Sequence, residues 1–331
     1  MRGGLERTLL DSWRQRGVLA WVLWPISLVY WGLVTLRCAL YRFGLLKSER
    51  LGVPVIVVGN VIAGGAGKTP VTLAIAEHLR ESGWRPGIIS RGYGRRTDDC
   101  REVTPADDPL DVGDEALLLR LRTGVPVFVA ARRAQAGQAL LAAYPGVNVL
   151  ICDDGLQHLA LARDVEVCVF DARGVGNGWL LPAGPLREPW PRRVDFVLHA
   201  PDALVSSPPA RSFSVRRTLA ANAVRADGTQ VSLADLRVQP ITALAGIAQP
   251  EAFFSMLRAE GLTLAHTIAL PDHDDFADLP VLPGASEPLV CTEKDAAKLW
   301  RHRPDALAIP LILHMPDAFL EELSAKLSSG A

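Results

Sequence analysis

The sequence predicts an α/β protein built on a parallel sheet. From residue 53 onward, short apolar stretches that resemble strands alternate with longer stretches of helical character. Strand candidates such as VPVIVV and VNVLIC are apolar at every position, with no alternation of polar and apolar residues. Strands that are apolar on both faces are typical of a parallel sheet covered by helices on both sides.

Length and composition exclude several classes of protein. The 331 residues are about twice what one ordinary domain needs. With 49% hydrophobic and 21% charged residues the chain is neither disordered nor collagen-like, and it is not a polytopic membrane protein. The formal charge of -1 gives no overall attraction to nucleic acid, so no nucleic-acid partner is expected. Five widely spaced cysteines without a C-x-x-C pair predict neither a disulfide framework nor a zinc site.

The N-terminal region contains one long apolar stretch. Residues Gly17 to Leu36 carry no charge and as a helix could cross about 30 Å of hydrocarbon. Trp21, Trp24 and Trp31 favour the headgroup level of a bilayer, and Pro25 would kink a spanning helix. We therefore predict a membrane-associated helix that lies in the interface. A hydrophobic helix packed on the protein's own core is the alternative.

Two kinds of signal predict the remaining strands and helices. Short stretches rich in β-branched residues and bounded by Gly, Pro or Asn predict strands, and the longer helix-forming stretches between them predict helices. In the first half the sequence predicts strands at Val53–Val58, Gly87–Ser90, Val125–Ala130, Val147–Cys152 and Val165–Phe170, and helices at Thr69–Ser82, Asp114–Arg122 and Arg132–Ala143. In the second half it predicts strands at Ile241–Ala245, Leu262–Ala269, Pro288–Cys291 and Ala308–Leu313, and helices at Pro250–Glu260 and Lys294–Arg301.

Between these halves, residues 174–193 are rich in Pro, Gly and Arg and predict a functional loop or a domain edge. We expect three segments: an apolar helix in residues 1–42, a nucleotide-binding α/β domain in residues 43–205 and a smaller α/β domain in residues 206–331.

The strongest motif is GNVIAGGAGKTP, in which an apolar strand runs into a glycine-rich turn and then a helix. This is the context of a P-loop, whose backbone N–H groups surround phosphate oxygens at a helix N-terminus. The lysine can reach the β- and γ-phosphates of ATP, and the threonine hydroxyl can bind Mg²⁺. The strict spacing would place glycine where this chain has Ile62. The predicted nucleotide-binding residues are Gly64, Gly65, Ala66, Gly67, Lys68 and Thr69.

Adjacent carboxylates end the strand VNVLIC. Asp153 and Asp154 are costly there unless a cation or hydrogen bonds compensate them. Together with Lys68 and Thr69 they predict a site for ATP and Mg²⁺. A turn or a helix cap is the alternative for this pair on its own.

A phosphoryl acceptor needs a nearby base, and two segments offer one. DVGDEALLL places Asp114 at a predicted helix start, and ALPDHDDF contains His273. Asp114 could instead be only a helix residue favoured by the dipole, and His273 only an exposed loop histidine. SRGYGRR offers Arg91 for a phosphate and Tyr93 for a sugar face, unless it is simply a solvated basic turn.

Seven segments occur in a fixed order behind the apolar helix: GNVIAGGAGKTP, ISRGYGR, VGDEALLL, DDGLQH, LLPAGPLREP, PDHDDF and CTEKDAAKL. In this combination the chain resembles the tetraacyldisaccharide 4'-kinases of lipid A assembly. The isoleucine at position 62 belongs to that family's GGxGKTP form of the loop. The family's histidine pair is reduced here to His273 followed by Asp274.

The resemblance implies transfer of the γ-phosphoryl group of ATP to the 4'-hydroxyl of a tetraacylated glucosamine disaccharide 1-phosphate at the cytoplasmic face of the bacterial inner membrane. It implies that Asp114 is the general base with His273 as its partner, and that Arg91 and Tyr93 meet the lipid headgroup. It also implies that Glu188, Gln157 and His158 fall on motif positions near the active site, Glu188 at the metal and Gln157 and His158 at the substrate. The TEKD segment, Thr292 to Asp295, receives no role.

The same motifs are compatible with two other functions. A membrane-tethered P-loop NTPase switch would bind ATP and signal to a partner without phosphorylating a small molecule. A soluble P-loop kinase for a polar metabolite would have no use for the apolar N-terminal residues.

Overall fold

The computed structural model describes residues 12–203, 205, 211–277, 279 and 287–329. The chain forms two compact units. The described residues up to Arg91, the segment Arg132–Arg216 and the segment from Met315 onward form the first unit. Gly92–Ala131 and Arg217–His314 form the second unit.

The helices and strands are numbered here in chain order. The strands are β1 (Val55–Gly59), β2 (Pro86–Ser90), β3 (Arg101–Glu102), β4 (Val127–Val129), β5 (Val149–Asp153), β6 (Val165–Phe170), β7 (Phe196–His199), β8 (Arg211–Ser214), β9 (Arg216–Leu219), β10 (Asn222–Val224), β11 (Gln230–Ser232), β12 (Ile241–Ala245), β13 (Leu264–Ala269), β14 (Leu289–Thr292), β15 (Leu307–Ile309) and β16 (Leu311–His314). The helices are α1 (Val18–Arg42), α2 (Lys68–Glu81), α3 (Pro109–Val112), α4 (Asp114–Thr123), α5 (Arg133–Ala143), α6 (Leu233–Leu236), α7 (Pro250–Ala259), α8 (Glu293–Leu299) and α9 (Asp317–Ser329).

The first unit contains a parallel sheet. Its strands lie in the order β2, β5, β1, β6, β7, β8, and each neighbouring pair is parallel. In the central pair Val57 is in register with Cys152. Strands β1, β2 and β5 are buried at every position, as their continuous apolar sequences predict. The predicted α/β class with a parallel sheet is confirmed.

Helix α1 differs from the other helices of the first unit because most of its apolar side chains are exposed. Only Ala20 and Ser27 are buried. By length and composition it is the one helix in the described part of the chain that could cross a membrane. A helix packed within the core, the alternative considered from sequence, would bury most of these side chains. The exposed apolar residues are Val18, Trp21, Val22, Trp24, Ile26, Leu28, Val29, Trp31, Leu33 and Leu36.

The second unit is built on a mixed sheet in the order β11, β10, β15, β14, β12, β13. Strands β15, β14, β12 and β13 are parallel, whereas β10 is antiparallel to β11 and β15. Helix α7 contributes Phe253, Phe254 and Leu257 to the apolar core of this sheet. Strands β3 and β4 form an antiparallel pair.

The compact units are not consecutive segments of the chain, which differs from the expected division into residues 43–205 and 206–331. Residues 92–131 belong with the second unit, where Arg122 Nη1 lies 2.6 Å from Glu293 Oε2. Helix α9 belongs with the first unit, because Phe319 is buried against the rings of Phe196 and Phe213. Position 206, the expected boundary, lies outside the described residues.

Candidate active site

A glycine-rich loop connects β1 to α2 in the first unit. Gly67 has φ 77°, in the left-handed region where a side chain would be strained, and Lys68 begins the helix directly after it. The free N–H groups of the first helical turn create a favourable site for an anion. The predicted order of strand, glycine-rich turn and helix is therefore present.

Ile62, where the strict motif would have glycine, is buried with 1% of its surface exposed. It forms an antiparallel bridge with Leu186. On either side of this bridge, the Ala63 N–H donates to the Pro185 carbonyl (2.7 Å) and the Arg187 N–H donates to the Val61 carbonyl (2.7 Å). The isoleucine thus helps to join the phosphate loop to the PLRE segment.

Amide side chains hold the beginning of the same loop. The buried Asn60 donates through Nδ2 to the Ile62 carbonyl at 2.8 Å. Gln157 donates through Nε2 to the Asn60 carbonyl at 2.8 Å and to Glu188 Oε1 at 2.7 Å. The structure therefore places Gln157 and Glu188 in a network that supports the loop.

The acidic pair lies beside the loop. The Thr72 hydroxyl on α2 donates to Asp153 Oδ1 at 2.8 Å. Asp154 follows β5 with φ 48°, and Lys68 Nζ and Arg187 Nη1 each lie 3.6 Å from its Oδ1. The structure thus brings together the lysine and the acidic pair that the sequence singled out.

These side chains are compatible with Mg²⁺. Asp154 Oδ1 is buried and accepts no hydrogen bond from the residues that the structure describes. The carboxylates and the buried Thr69 hydroxyl are oxygen donors, which Mg²⁺ prefers. Within the described ranges no group of three or more His, Cys, Asp or Glu residues could hold a metal ion. Nucleotide-bound Mg²⁺ needs only one or two carboxylates besides the phosphates.

Glu188 is buried and His158 is half-buried, and arginine charges act on both side chains. Both carboxylate oxygens of Glu188 accept hydrogen bonds, Oε1 from Gln157 and Oε2 from Arg192 Nε at 3.0 Å. Burial raises the pKa of Glu188 despite the nearby Arg192. Burial, together with the charges of Arg133 and other arginines, lowers the pKa of His158 to about 4, so this imidazole is neutral at pH 7.

The second unit contains the Asp114–His273 pair. Asp114 begins α4 and is buried, and its Oδ2 lies 3.0 Å from His273 Nδ1. His273 adopts φ 65°, an uncommon conformation for a non-glycine residue. Gly113 precedes the helix with φ 91°, and a Cβ there would lie 2.9 Å from Gly92 Cα. The VGDE and RGYG motifs therefore pack against each other at Gly113 and Gly92, where the backbones are too close for a side chain on Gly113.

Two lysines of α8 surround this pair, and sequence reasoning missed both. Lys298 Nζ lies 3.2 Å from Asp114 Oδ2, and both side chains are only 5% exposed. Lys294 Nζ lies 3.0 Å from Glu115 Oε1 and 3.1 Å from Asp272 Oδ1. Their spacing of four residues, which places them on one face of a helix, is the signal that could have found them.

Residues of the TEKD segment fix the N-terminus of α8 through hydrogen bonds. The Thr292 hydroxyl donates to Asp295 Oδ2 at 2.6 Å, and the Gly246 N–H donates to the same oxygen at 3.0 Å. Burial raises the pKa of Asp295 to about 6 even though these hydrogen bonds lower it. The segment therefore caps the helix that carries Lys294 and Lys298.

Neighbouring opposite charges shift the pKa values of both Asp114 and His273. Burial alone would raise the pKa of Asp114, but the hydrogen bond with His273 and the charges of Lys294, His273 and Lys298 outweigh it and lower this pKa well below its usual range. Burial would lower the pKa of His273, but Asp114 raises it above the ordinary value. Asp114 is therefore ionised near neutral pH, and its negative charge makes the His273 imidazole a stronger base than a free histidine.

The proposed headgroup residues are both exposed. Arg91 ends the first of the three segments that make up the first unit. Tyr93 lies in the second unit, and its ring centroid is 5.0 Å from that of His273. Within the second unit, the structure therefore places Tyr93 beside the Asp114–His273 pair.

His273→Gln is expected to destabilise the protein by about 1–2 kcal/mol, because it removes a charged hydrogen bond to Asp114. The raised pKa of His273 means that its contribution is complete below about pH 6.5 and is lost as the pH rises through the folded-state value. Because the pKa of Asp114 lies well below its usual range, the carboxylate stays ionised in the folded protein at pH 4 and remains the partner of His273. Urea unfolding of both proteins from pH 4 to 9 measures this difference, and a gap that widens above pH 8 would contradict the assignment.

Known proteins resemble this chain along nearly its whole length. The sequence pattern of the family described as tetraacyldisaccharide-1-P 4'-kinase matches residues 19–328. A protein from Acidovorax sp. (strain JS42) described as tetraacyldisaccharide 4'-kinase is 61% identical and covers 98% of this chain and 96% of its own. A protein of the same description from Delftia acidovorans is 56% identical over 98% of this chain and 95% of its own.

A solved structure is similar over nearly the whole chain. It is the crystal structure of the "apo" form of LpxK from Aquifex aeolicus in complex with ATP. The TM-score is 0.81 at 28% identity, covering 94% of this chain and 100% of that one. The fold, the ordered motifs and the matched relatives agree, and the chain belongs to the tetraacyldisaccharide-1-P 4'-kinase family.

Proposed function

We propose that this chain transfers the γ-phosphoryl group of ATP to the 4'-hydroxyl of a tetraacylated glucosamine disaccharide 1-phosphate, a step of lipid A biosynthesis. Family membership over residues 19–328 supports the activity. The buried Asp114–His273 pair is the observation that favours a kinase over a nucleotide switch. A switch needs no base for an alcohol, whereas transfer to a hydroxyl does.

The first unit binds the nucleotide in this proposal. Backbone N–H groups of Gly64, Gly65, Ala66 and Gly67 would surround the phosphates, helped by the N-terminus of α2. The Lys68 ammonium, which lies 3.6 Å from Asp154, would move to the β- and γ-phosphates when they enter.

Mg²⁺ fits the oxygen donors beside the loop. Thr69, Asp153 and Asp154 would hold it, directly or through water, together with the phosphates of ATP. When bound, Mg²⁺ would neutralise charge on the transferred phosphoryl group. For Glu188, whose two oxygens are engaged, we propose a supporting role through Gln157 and the Asn60 carbonyl.

The second unit activates the acceptor. Both oxygens of Asp114 are occupied: Oδ1 accepts from the Glu115 N–H at 2.9 Å, and Oδ2 faces His273 and Lys298. We therefore propose that the pair acts as one base. His273 takes the 4'-hydroxyl proton through Nε2, and Asp114 stabilises the imidazolium that forms. This arrangement reverses the individual roles implied by the resemblance.

We propose that Tyr93, Arg91 and His158 contact the headgroup of the lipid substrate. Tyr93 is exposed beside His273, where its ring could lie on a sugar face. Arg91 is exposed and could bind the 1-phosphate. His158 is half-buried and neutral at pH 7, so it would contribute a hydrogen bond and no charge.

We place the enzyme at the cytoplasmic face of the bacterial inner membrane, where helix α1 would lie in the interface. Its exposed face is apolar and includes several tryptophans, and arginines precede the helix and lie near its C-terminal end. A substrate with four acyl chains would then remain in the bilayer during phosphorylation.

The double variant Val29→Ser/Leu33→Ser is expected to weaken binding to phospholipid vesicles about 100-fold, because each exposed side chain contributes about 1.5 kcal/mol when buried in the interface. Val238→Ser removes an even more exposed apolar side chain from the second unit and serves as the control. Vesicle co-sedimentation measures both proteins. Equal binding of the double variant and the wild type would remove α1 from the membrane role.

The deciding experiment mixes Mg·ATP labelled in the γ-phosphate with the tetraacyldisaccharide 1-phosphate in mixed micelles. The expected product carries one additional phosphate, placed on the 4'-oxygen by mass spectrometry of its fragments. Hydrolysis of ATP without any change in the lipid would instead favour the NTPase switch.

A further inference from the structure

Helix α1 makes specific polar contacts with the segment Asn177–Arg187, which we call the docking segment. Ser27 is one of only two buried residues of α1 and is 4% exposed. Its hydroxyl donates to the Leu180 carbonyl at 2.8 Å and accepts from the Ala183 N–H at 3.0 Å. A buried serine with both roles satisfied fixes position and orientation, which a simple membrane anchor does not require.

A second contact lies one turn further along the helix. The Tyr30 hydroxyl donates to the Arg187 carbonyl at 2.8 Å. Before the helix begins, Trp13 Nε1 donates to the Pro182 carbonyl at 2.9 Å. The N-terminal region therefore holds both ends of the LPAGPLR stretch by side-chain donors.

The docking segment in turn holds the phosphate loop. Its Pro185 carbonyl accepts from Ala63, and its Arg187 N–H donates to Val61. The Arg187 guanidinium also lies 3.6 Å from Asp154 Oδ1. Arg187 therefore links three features. Its carbonyl accepts from the Tyr30 hydroxyl, its N–H donates to the phosphate loop, and its guanidinium lies near Asp154 of the acidic pair.

We propose that Ser27 and Tyr30 are positioning residues for the nucleotide, so that α1 is a structural part of the ATP site as well as a membrane element. This inference rests on the proposed function only in assigning ATP to the loop. Without these hydrogen bonds the docking segment would sample more conformations. Binding of the phosphates would then require more ordering of Val61, Ala63 and Arg187.

Titration with a fluorescent ATP analogue in detergent tests the proposal on the full-length chain. Ser27→Ala and Tyr30→Phe are each expected to raise the dissociation constant severalfold, and Ser27→Thr, which keeps the hydroxyl, is expected to restore it. In the kinase assay the KM for ATP should rise while the KM for the lipid stays unchanged. A general loss of structure would instead change the KM for ATP and the KM for the lipid together.

Tyr41→Phe is the matched control, because Tyr41 lies on the same helix with its ring against Arg37. It should leave analogue binding unchanged. Unchanged binding in both Ser27→Ala and Tyr30→Phe, or a parallel rise of both KM values with a lower Tm, would overturn the proposal. If the wild type binds the analogue but leaves the lipid unmodified, the proposed function fails while this inference is still decided by the binding data.

Discussion

Replacing Asp114 with asparagine is expected to lower kcat about 1000-fold, because the variant removes the negative charge that stabilises a protonated His273. Asparagine has nearly the same shape and can still accept from the Glu115 N–H. The dissociation constant for ATP should stay the same, since the phosphate loop belongs to the first unit and Asp114 to the second. Initial rates at saturating ATP, together with analogue titration, measure both quantities.

The pH dependence of this variant separates the two possible proton acceptors. Asp114 raises the pKa of His273, so the wild-type rate should fall as the pH drops through that raised value. In Asp114→Asn the remaining activity should show its acidic limb at lower pH. An acidic limb that does not move would show that His273 is not the titrating base, and a nearly normal rate would remove the pair from catalysis.

Asp111→Asn provides the control for Asp114→Asn. Asp111 also lies at the start of the α3–α4 region, but its carboxylate pairs with the exposed Arg96 at 2.8 Å. Such a pair contributes little to stability. The control variant should keep the wild-type rate and pH profile, so a large loss there would point to damage of the region as a whole.

The second large effect is expected for Lys68→Met, which should lower kcat at least 100-fold and weaken ATP binding. The variant removes the positive charge proposed to contact the β- and γ-phosphates, whereas methionine can still fill the space of the lysine stem. Stability should change little, because Arg187 still lies 3.6 Å from Asp154. Steady-state kinetics and analogue titration give the two effects separately.

Lys326→Met tests whether the loss of any lysine charge would have the same effect. Lys326 lies on α9 in the first unit and pairs with Asp195 at 3.0 Å, with more than a third of its side chain exposed. Its replacement should leave both kcat and ATP binding at wild-type values. Full activity of Lys68→Met would exclude the lysine from phosphoryl transfer.

The elements near the nucleotide were predictable because their signals are local. The predicted helix at Thr69–Ser82 is observed at Lys68–Glu81, and the predicted strand at Val147–Cys152 is observed at Val149–Asp153. Hydrophobic periodicity and glycine-rich turns depend on neighbours in the chain, so they can be read from sequence. The same holds for the position of Asp153 and Asp154 at the end of a strand.

The surroundings of Asp114 were not predictable in the same way. Asp114 and His273 are 159 positions apart, and only their resemblance to family motifs suggested a pair. Lys298 lies in the family segment CTEKDAAKL but received no role, because a lysine in a helix usually indicates a solvent-exposed face. Here the helix is capped by Thr292 and brings the lysine to a buried carboxylate.

The order of strands and helices, the glycine-rich loop and the chemical types of the site residues follow from the sequence, because each depends on short-range preferences. Tertiary structure decided which segments share a unit, why Ile62 replaces glycine beside Leu186, and how Ser27 and Tyr30 reach the docking segment. These features depend on contacts between residues far apart in the chain. Their energies come from burial and hydrogen-bond geometry, which no local pattern of residues records.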